Sequence, residues 1–150
     1  MNLYTIGFTQ KTAEQFFETL KEHRITLLVD VRLNNSSQLA GFTKSDSLPY
    51  FLKEICGASY LHIPEFAPTK EILDDYKKKK ITWEDYEQKY SILMQNREER
   101  SGGCRNFTEA HKLHENIILL CSELTADKCH RRLAAELICK LNKEITLTHL

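Results

Sequence analysis

Apolar positions along this chain follow two patterns in alternation: short unbroken runs, and longer stretches where they recur every three or four residues. The first run, Leu3 to Ile6 closed by Gly7, predicts a strand. Thr12 with Gln15 fits a capping box, and Ala13, Phe16, Phe17 and Leu20 follow at helical spacing. The nearly continuous run Thr26 to Val31 predicts a strand covered on both faces. Ser47 opens a second helix, with Leu48, Phe51, Leu52 and Ile55 on one face and Gly57 as its stop. Ser59 to Ile63 predicts a third strand, ended by Pro64.

The second half repeats the alternation. Thr82 and Asp85 begin a helix whose stripe is Trp83, Tyr86, Tyr90, Leu93 and Met94, a pattern that serves core packing more often than base stacking. Ser101-Gly102-Gly103-Cys104-Arg105 is expected to be a flexible loop with an exposed thiol, and His111 and His114, one turn apart, to face solvent. Asn116 to Cys121 is a strong buried-strand signal. Asp127 is expected to cap a helix with Leu133, Ala134, Leu137, Ile138 and Leu141 inward, and Glu144 to His149 forms the last strand. Strands alternating with helices predict one three-layer α/β domain over residues 1–150, with a mostly parallel sheet of about five strands and helices on both faces.

Composition narrows the partners. Twenty-one basic residues balance twenty-one acidic ones in 150 residues, so the chain lacks the broad basic footprint of a protein that grips duplex DNA. The Lys77–Lys80 run is expected to be solvated surface. No apolar stretch approaches the roughly 18 residues that would span a bilayer. The N-terminus carries no signal-peptide pattern. Five cysteines, an odd number without a C-x-x-C pair, favour reduced thiols and a cytoplasmic setting. Nothing in the sequence fixes the oligomeric state.

In parallel sheets ligands bind beyond the carboxyl ends of the strands, so the residues just after each strand are the candidate site. They are Gly7, Phe8 and Thr9; Asp30 and Arg32, leading into Asn34, Asn35, Ser36 and Ser37; His62 and Glu65; Cys121, Ser122 and Glu123; and His149. The fourth unit is the sharpest. With Asp127 as cap, Cys129, His130 and Arg131 fall in the first helical turn, where free N–H groups and the helix dipole favour an anion and activate a thiol. Glu123 can pair with Arg131 or Arg132, or act as a general base. The plain alternatives are a buried structural Cys129 and internal ion pairs for the arginines.

A zinc reading would use Cys121, Cys129 and His130 with His149 or His62. It is disfavoured because adjacent Cys and His chelate poorly and no familiar zinc spacing appears, so neither metal nor cofactor is expected. The chain has no G-x-x-x-x-G-K-[ST], G-x-G-x-x-G or G-x-S-x-G motif and no phosphatase-type cysteine loop.

On Thr5-Ile6-Gly7, Leu28-Val29-Asp30-Val31-Arg32, Leu119-Leu120-Cys121-Ser122-Glu123, Cys129-His130-Arg131 and Thr148-His149, the chain resembles the bacterial and archaeal family known as domain of unknown function 488. That resemblance implies a compact α/β fold with a polar site built from these motifs, and no established reaction. Family members commonly carry His-Ser after the opening glycine and a proline after the D-V-R arginine. Here Phe8 and Thr9 follow Gly7, and Asn34-Asn35-Ser36-Ser37 stands in the second place.

The leading expectation is an enzyme acting on a phosphate-bearing substrate, a nucleotide or a nucleic-acid end. Arg32, Arg131, Asp30, Thr9 and His149 would form the anion site, and Cys129, His130 and Glu123 would carry the chemistry. The runners-up are a non-catalytic anion-binding or interaction module and a purely structural Arg/Asp/Glu network.

Overall fold

The two strongest apolar runs form the middle of the sheet. In the computed structural model, which describes residues 1–36 and 38–150 (Gln38 and Leu39 by backbone alone), Ser37 of the candidate site lies outside the described residues. The elements in chain order are β1 (Asn2–Gly7), α1 (Ala13–Glu22), β2 (Leu27–Asp30), α2 (Leu48–Phe51, prolonged by a π-turn over Leu52–Cys56), β3 (Ser59–His62), α3 (Lys70–Lys77), α4 (Trp83–Ser101), α5 (Gly103–Ala110), β4 (Asn116–Cys121), α6 (His130–Leu141) and β5 (Thr146–His149). The five strands lie in the order β3-β2-β4-β1-β5, and every neighbouring pair is parallel. The chain is thus an α/β domain built on one parallel sheet.

Side chains alternate across the sheet, and each face has its own core. On one face Leu28, Ile118, Leu120 and Ile6 pack against Phe16, Phe17 and Leu20 of α1 and Leu48 and Leu52 of α2. On the other, Leu27, Val29, Ile117 and Leu119 pack against Tyr86, Tyr90 and Met94 of α4, Phe107 of α5 and Leu133, Ala134 and Ile138 of α6. All six residues of β4 are buried, as the continuous apolar run requires of a strand covered on both sides. The aromatic stripe on α4 is therefore largely core.

Local signals explain most boundaries. Thr12 and Gln15 form the expected capping box, and so do Thr82 and Asp85. Gly57 takes a left-handed φ of 65° and stops the second helix. Three expectations need correction. The π-turn at Leu52–Cys56 rotates Ile55 off the inner face, leaving it exposed. The glycine-rich stretch is not a loop with an exposed thiol: left-handed Gly102 ends α4, α5 starts at once, and Cys104 is buried. Asp127 does not cap α6; it is exposed, and Cys129 occupies the cap position without a side-chain bond.

Candidate functional site

β1 sends its chain to α1 on one face of the sheet, while its neighbour β4 sends its chain to α6 on the other. Between their carboxyl ends the connections diverge, and a cavity of about 850 Å³ opens there. Phe8, Thr9 and Lys11 border it after β1, Arg32 to Asn34 after β2, and Cys121, Ser122 and Glu123 after β4. Cys129 and His130 close the floor at the start of α6, and Tyr76, Lys77, Lys79, Trp83 and Tyr86 supply the far wall.

Arg32 reaches this cavity with its charge already matched. Its Nε donates to Asp30 Oδ1 at 2.8 Å and its Nη2 to Asp30 Oδ2 at 2.6 Å, a two-pronged pair almost wholly buried. Nη2 also donates to the Thr43 carbonyl at 2.6 Å, and Nη1 to Thr43 Oγ1 at 3.3 Å. Of the five guanidinium donors, one N–H on Nη1 remains. The Phe8 ring lies 5.3 Å from the Arg32 guanidinium carbon. Tyr60 Oη donates to Asp30 Oδ2 at 2.9 Å, and burial beside that carboxylate pushes the phenol far above its usual range.

Arg131 behaves differently. It is fully buried and does not line the cavity; its Nη1 donates to the Glu123 carbonyl at 2.5 Å and its Nη2 to the Leu124 carbonyl at 3.3 Å. Nε has no partner, and among the described residues no carboxylate pairs with the group. The guanidinium therefore braces the loop after β4 from beneath. Gly7 makes room for that brace: a Cβ there would meet the Glu123 carbonyl oxygen at 1.6 Å and Arg131 Nη1 at 2.9 Å. The expected Glu123 side-chain pairing with Arg131 or Arg132 is not formed. Glu123 contributes its main-chain carbonyl while its side chain is exposed, and Arg132 pairs with Glu87 and Glu136 instead.

The floor is sulfur and imidazole. Cys121, Cys129 and His130 are all buried, and their donor atoms lie within 4.8 Å of one another. His130 Nε2 stands 2.8 Å from the Val31 carbonyl, which only accepts, so Nε2 carries the proton and Nδ1 the lone pair. Cys121 Sγ lies beside the ring, 3.8 Å from Nδ1 and 3.7 Å from Nε2. The Cys129 thiol donating toward the Cys121 sulfur holds Cys121 below the usual thiol range and raises Cys129 well above it. The sequence reading centred on Cys129, and the structure sets Cys121 beside it in the same floor.

Of the predicted site residues, the structure brings Thr9, Arg32, Glu123, Cys129 and His130 to one cavity and tucks Asp30 behind Arg32. Arg131 lies under the floor. His149 is turned to Thr5, with Nδ1 2.8 Å from Oγ1, and does not line the cavity. His62 donates from Nε2 to the Arg32 carbonyl at 2.9 Å, which fixes the turn after β2, and it does not line the cavity. Sequence reasoning missed Lys11, Lys128 and the α3 wall. The α3 signal was present in Thr69, whose hydroxyl caps the helix at Ile72, followed by Leu73 and Tyr76 on one side.

Fold and site together define a parallel α/β domain with a cationic, thiol-floored cavity at its switch point. The chain matches the model of the family described as Domain of unknown function DUF488 over residues 12–138, and it belongs to that family. It matches no curated protein and no solved structure. Among the described residues no helix is long and apolar enough to cross a membrane.

Proposed function

We propose that the cavity binds a phosphate-bearing substrate, a nucleotide or a nucleic-acid end, and that the Cys121, Cys129 and His130 floor acts on it. The observation that carries this reading is the lining: Lys11, Lys77, Lys79 and Lys128 face a single carboxylate, Glu123, and Phe8, Phe42, Tyr76 and Trp83 stand among them. Lysines match phosphate charge, and aromatic faces match a base. The positive end of the α6 dipole adds to the field at the floor. In this reading the lysines take the part that the sequence gave to Arg131, and Arg32 contributes only its one unengaged N–H.

Titration of the chain with a panel of mononucleotides and 5′-phosphorylated oligonucleotides, followed by calorimetry, tests the proposal. Lys77→Glu/Lys79→Glu is expected to weaken binding at least about tenfold, with a reduced salt dependence. A folded wild type that binds none of the panel, or a charge-reversed variant that binds as well as wild type, overturns it. The non-catalytic alternative draws on one observation, the burial of Cys129 to 2% exposure. Binding without turnover of the bound compound, followed by phosphorus NMR, selects that alternative.

A further inference from the structure

The floor of the cavity carries more donor chemistry than anion binding uses. Cys121, Cys129 and His130 form the one cluster among the described residues in which three potential metal ligands lie within 4.8 Å of one another. We infer that Cys121 Sγ, Cys129 Sγ and His130 Nδ1 bind a divalent zinc-type ion whose fourth coordination position opens into the cavity.

Four features of the geometry support this. In tetrahedral zinc sites with bonds of about 2.3 Å to sulfur and 2.0–2.1 Å to nitrogen, donors stand roughly 3.5–3.8 Å apart. Cys121 Sγ lies 3.8 Å from His130 Nδ1 and 3.7 Å from Nε2, so the donors already stand at ligand spacing, and a turn of the Cys121 side chain toward Nδ1 closes them around an ion. Second, the imidazole is oriented as a ligand. Its Nε2–H is held by the Val31 carbonyl at 2.8 Å, which leaves Nδ1 with its lone pair free, the tautomer that outer carbonyls impose on metal-binding histidines.

Third, the objection to adjacent Cys and His ligands is met by the backbone. Cys129 is extended, with φ −139° and ψ 135°, and the helix begins at His130, so the change of conformation lets two neighbouring side chains converge instead of diverging. Fourth, all three residues line the same cavity, so the side without a protein ligand faces open space. Two thiolates and one imidazole are donors that suit zinc over magnesium or calcium. Two thiolates also neutralise a dication, so the ion adds no net charge beside the buried Arg131 guanidinium.

The inference uses the cavity of the proposed function, but it does not need the anion, and the two can fail separately. The 150-residue chain is reduced, stripped with a chelator and titrated with Co²⁺ alone, then with Zn²⁺ alone. The expected result is thiolate-to-cobalt charge transfer with tetrahedral visible bands, saturating at one ion per chain and bleached by Zn²⁺. Cys121→Ser and His130→Gln are each expected to weaken the ion at least about tenfold. Cys56→Ser, on the opposite face of the sheet, keeps the wild-type spectrum. If a variant does not fold, the wild-type cobalt spectrum alone decides. A reduced wild type that gives no charge-transfer band at millimolar Co²⁺ overturns the inference, as does a band that persists unchanged in a folded Cys121→Ser chain. Nucleotide binding measured on the stripped protein reads the other proposal: its survival with a silent cobalt titration removes the metal alone, and its loss with a positive titration removes the anion alone.

Discussion

Removing the Asp30 carboxylate tests whether Arg32 is held as structure or presented as a ligand. Asp30 is fully buried and Arg32 only 3% exposed. Asp30 accepts from Arg32 Nε, Nη2 and N at 2.8, 2.6 and 3.1 Å, and from Tyr60 Oη at 2.9 Å. In Asp30→Ala the guanidinium keeps its Thr43 contacts and loses its only countercharge. Breaking one side of such a buried pair costs about 3–5 kcal/mol. For a domain of this length that lowers the melting temperature by roughly 6–20 °C, and it is a large part of a total stability of about 5–15 kcal/mol. Replacing both partners, as in Asp30→Ala/Arg32→Met, removes the stranded charge together with its partner. Both variants leave the main-chain N–H of residue 32 and the Tyr60 hydroxyl without their acceptor, and the double variant adds to these only the Thr43 carbonyl without its donor, costing about 1–3 kcal/mol. The double variant is therefore expected to be more stable than Asp30→Ala. Urea unfolding of wild type, both single variants and the double variant, at constant m-value, measures the cycle. An Asp30→Ala cost below about 1 kcal/mol, or a double variant less stable than Asp30→Ala, refutes the reasoning that the pair is an internal brace.

Three further outcomes follow from the same geometry. Gly7→Ala drives a methyl into the Glu123 carbonyl, so it is expected to cost at least about 2 kcal/mol by denaturant unfolding and to displace the loop that carries the cavity rim. Burial, reinforced by the Glu98 carboxylate, pushes the Cys104 thiol up to about 12, whereas Cys56 and Cys139 are only partly buried; timed alkylation read by mass spectrometry is expected to label Cys56 and Cys139 well before Cys104. Burial holds the His149 imidazole below its usual 6.5. The folded state then binds its proton less readily than the unfolded chain, so this contribution to stability is present above about pH 6.5 and declines as pH falls through the lowered folded value. His149→Gln is expected to flatten that part of the stability–pH curve, and an NMR titration of the wild-type ring checks the direction.

Much of the fold was legible because a strand covered on both faces leaves an unbroken apolar record. The runs at Thr26–Val31 and Asn116–Cys121 each lead into a polar cluster, and parallel pairing places both clusters on one rim. That topological step is why Arg32 and Cys129, almost a hundred positions apart, share a cavity. What the sequence did not reveal is where each polar atom is used. Arg32 and Arg131 look alike as letters, yet one meets a carboxylate two residues back and the other reaches the carbonyls of its own loop. The cap of α6 misled for a related reason: Asp127 is a strong helix-starting residue, but the turn in which Cys129 N–H donates to the Ala126 carbonyl delays the helix to His130. Gly102 and Gly103 read as a loop because composition does not distinguish a glycine that ends one helix from one that opens the next.

Phe8 decides how chemistry can be divided within this cavity. Where the family resemblance led us to expect histidine, this chain places a ring that packs with Ile6 and Phe16 and covers the Arg32 guanidinium. No proton can be exchanged from that position. Among the residues that line the cavity, His130 is the only imidazole, and its Nε2–H is committed to Val31. The ring atom left with a free lone pair is Nδ1, and the Cys121 sulfur lies beside the ring, 3.8 Å from Nδ1 and 3.7 Å from Nε2. Under the proposed function, proton transfer by an imidazole at this cavity therefore falls to the group that Cys121, Cys129 and His130 form.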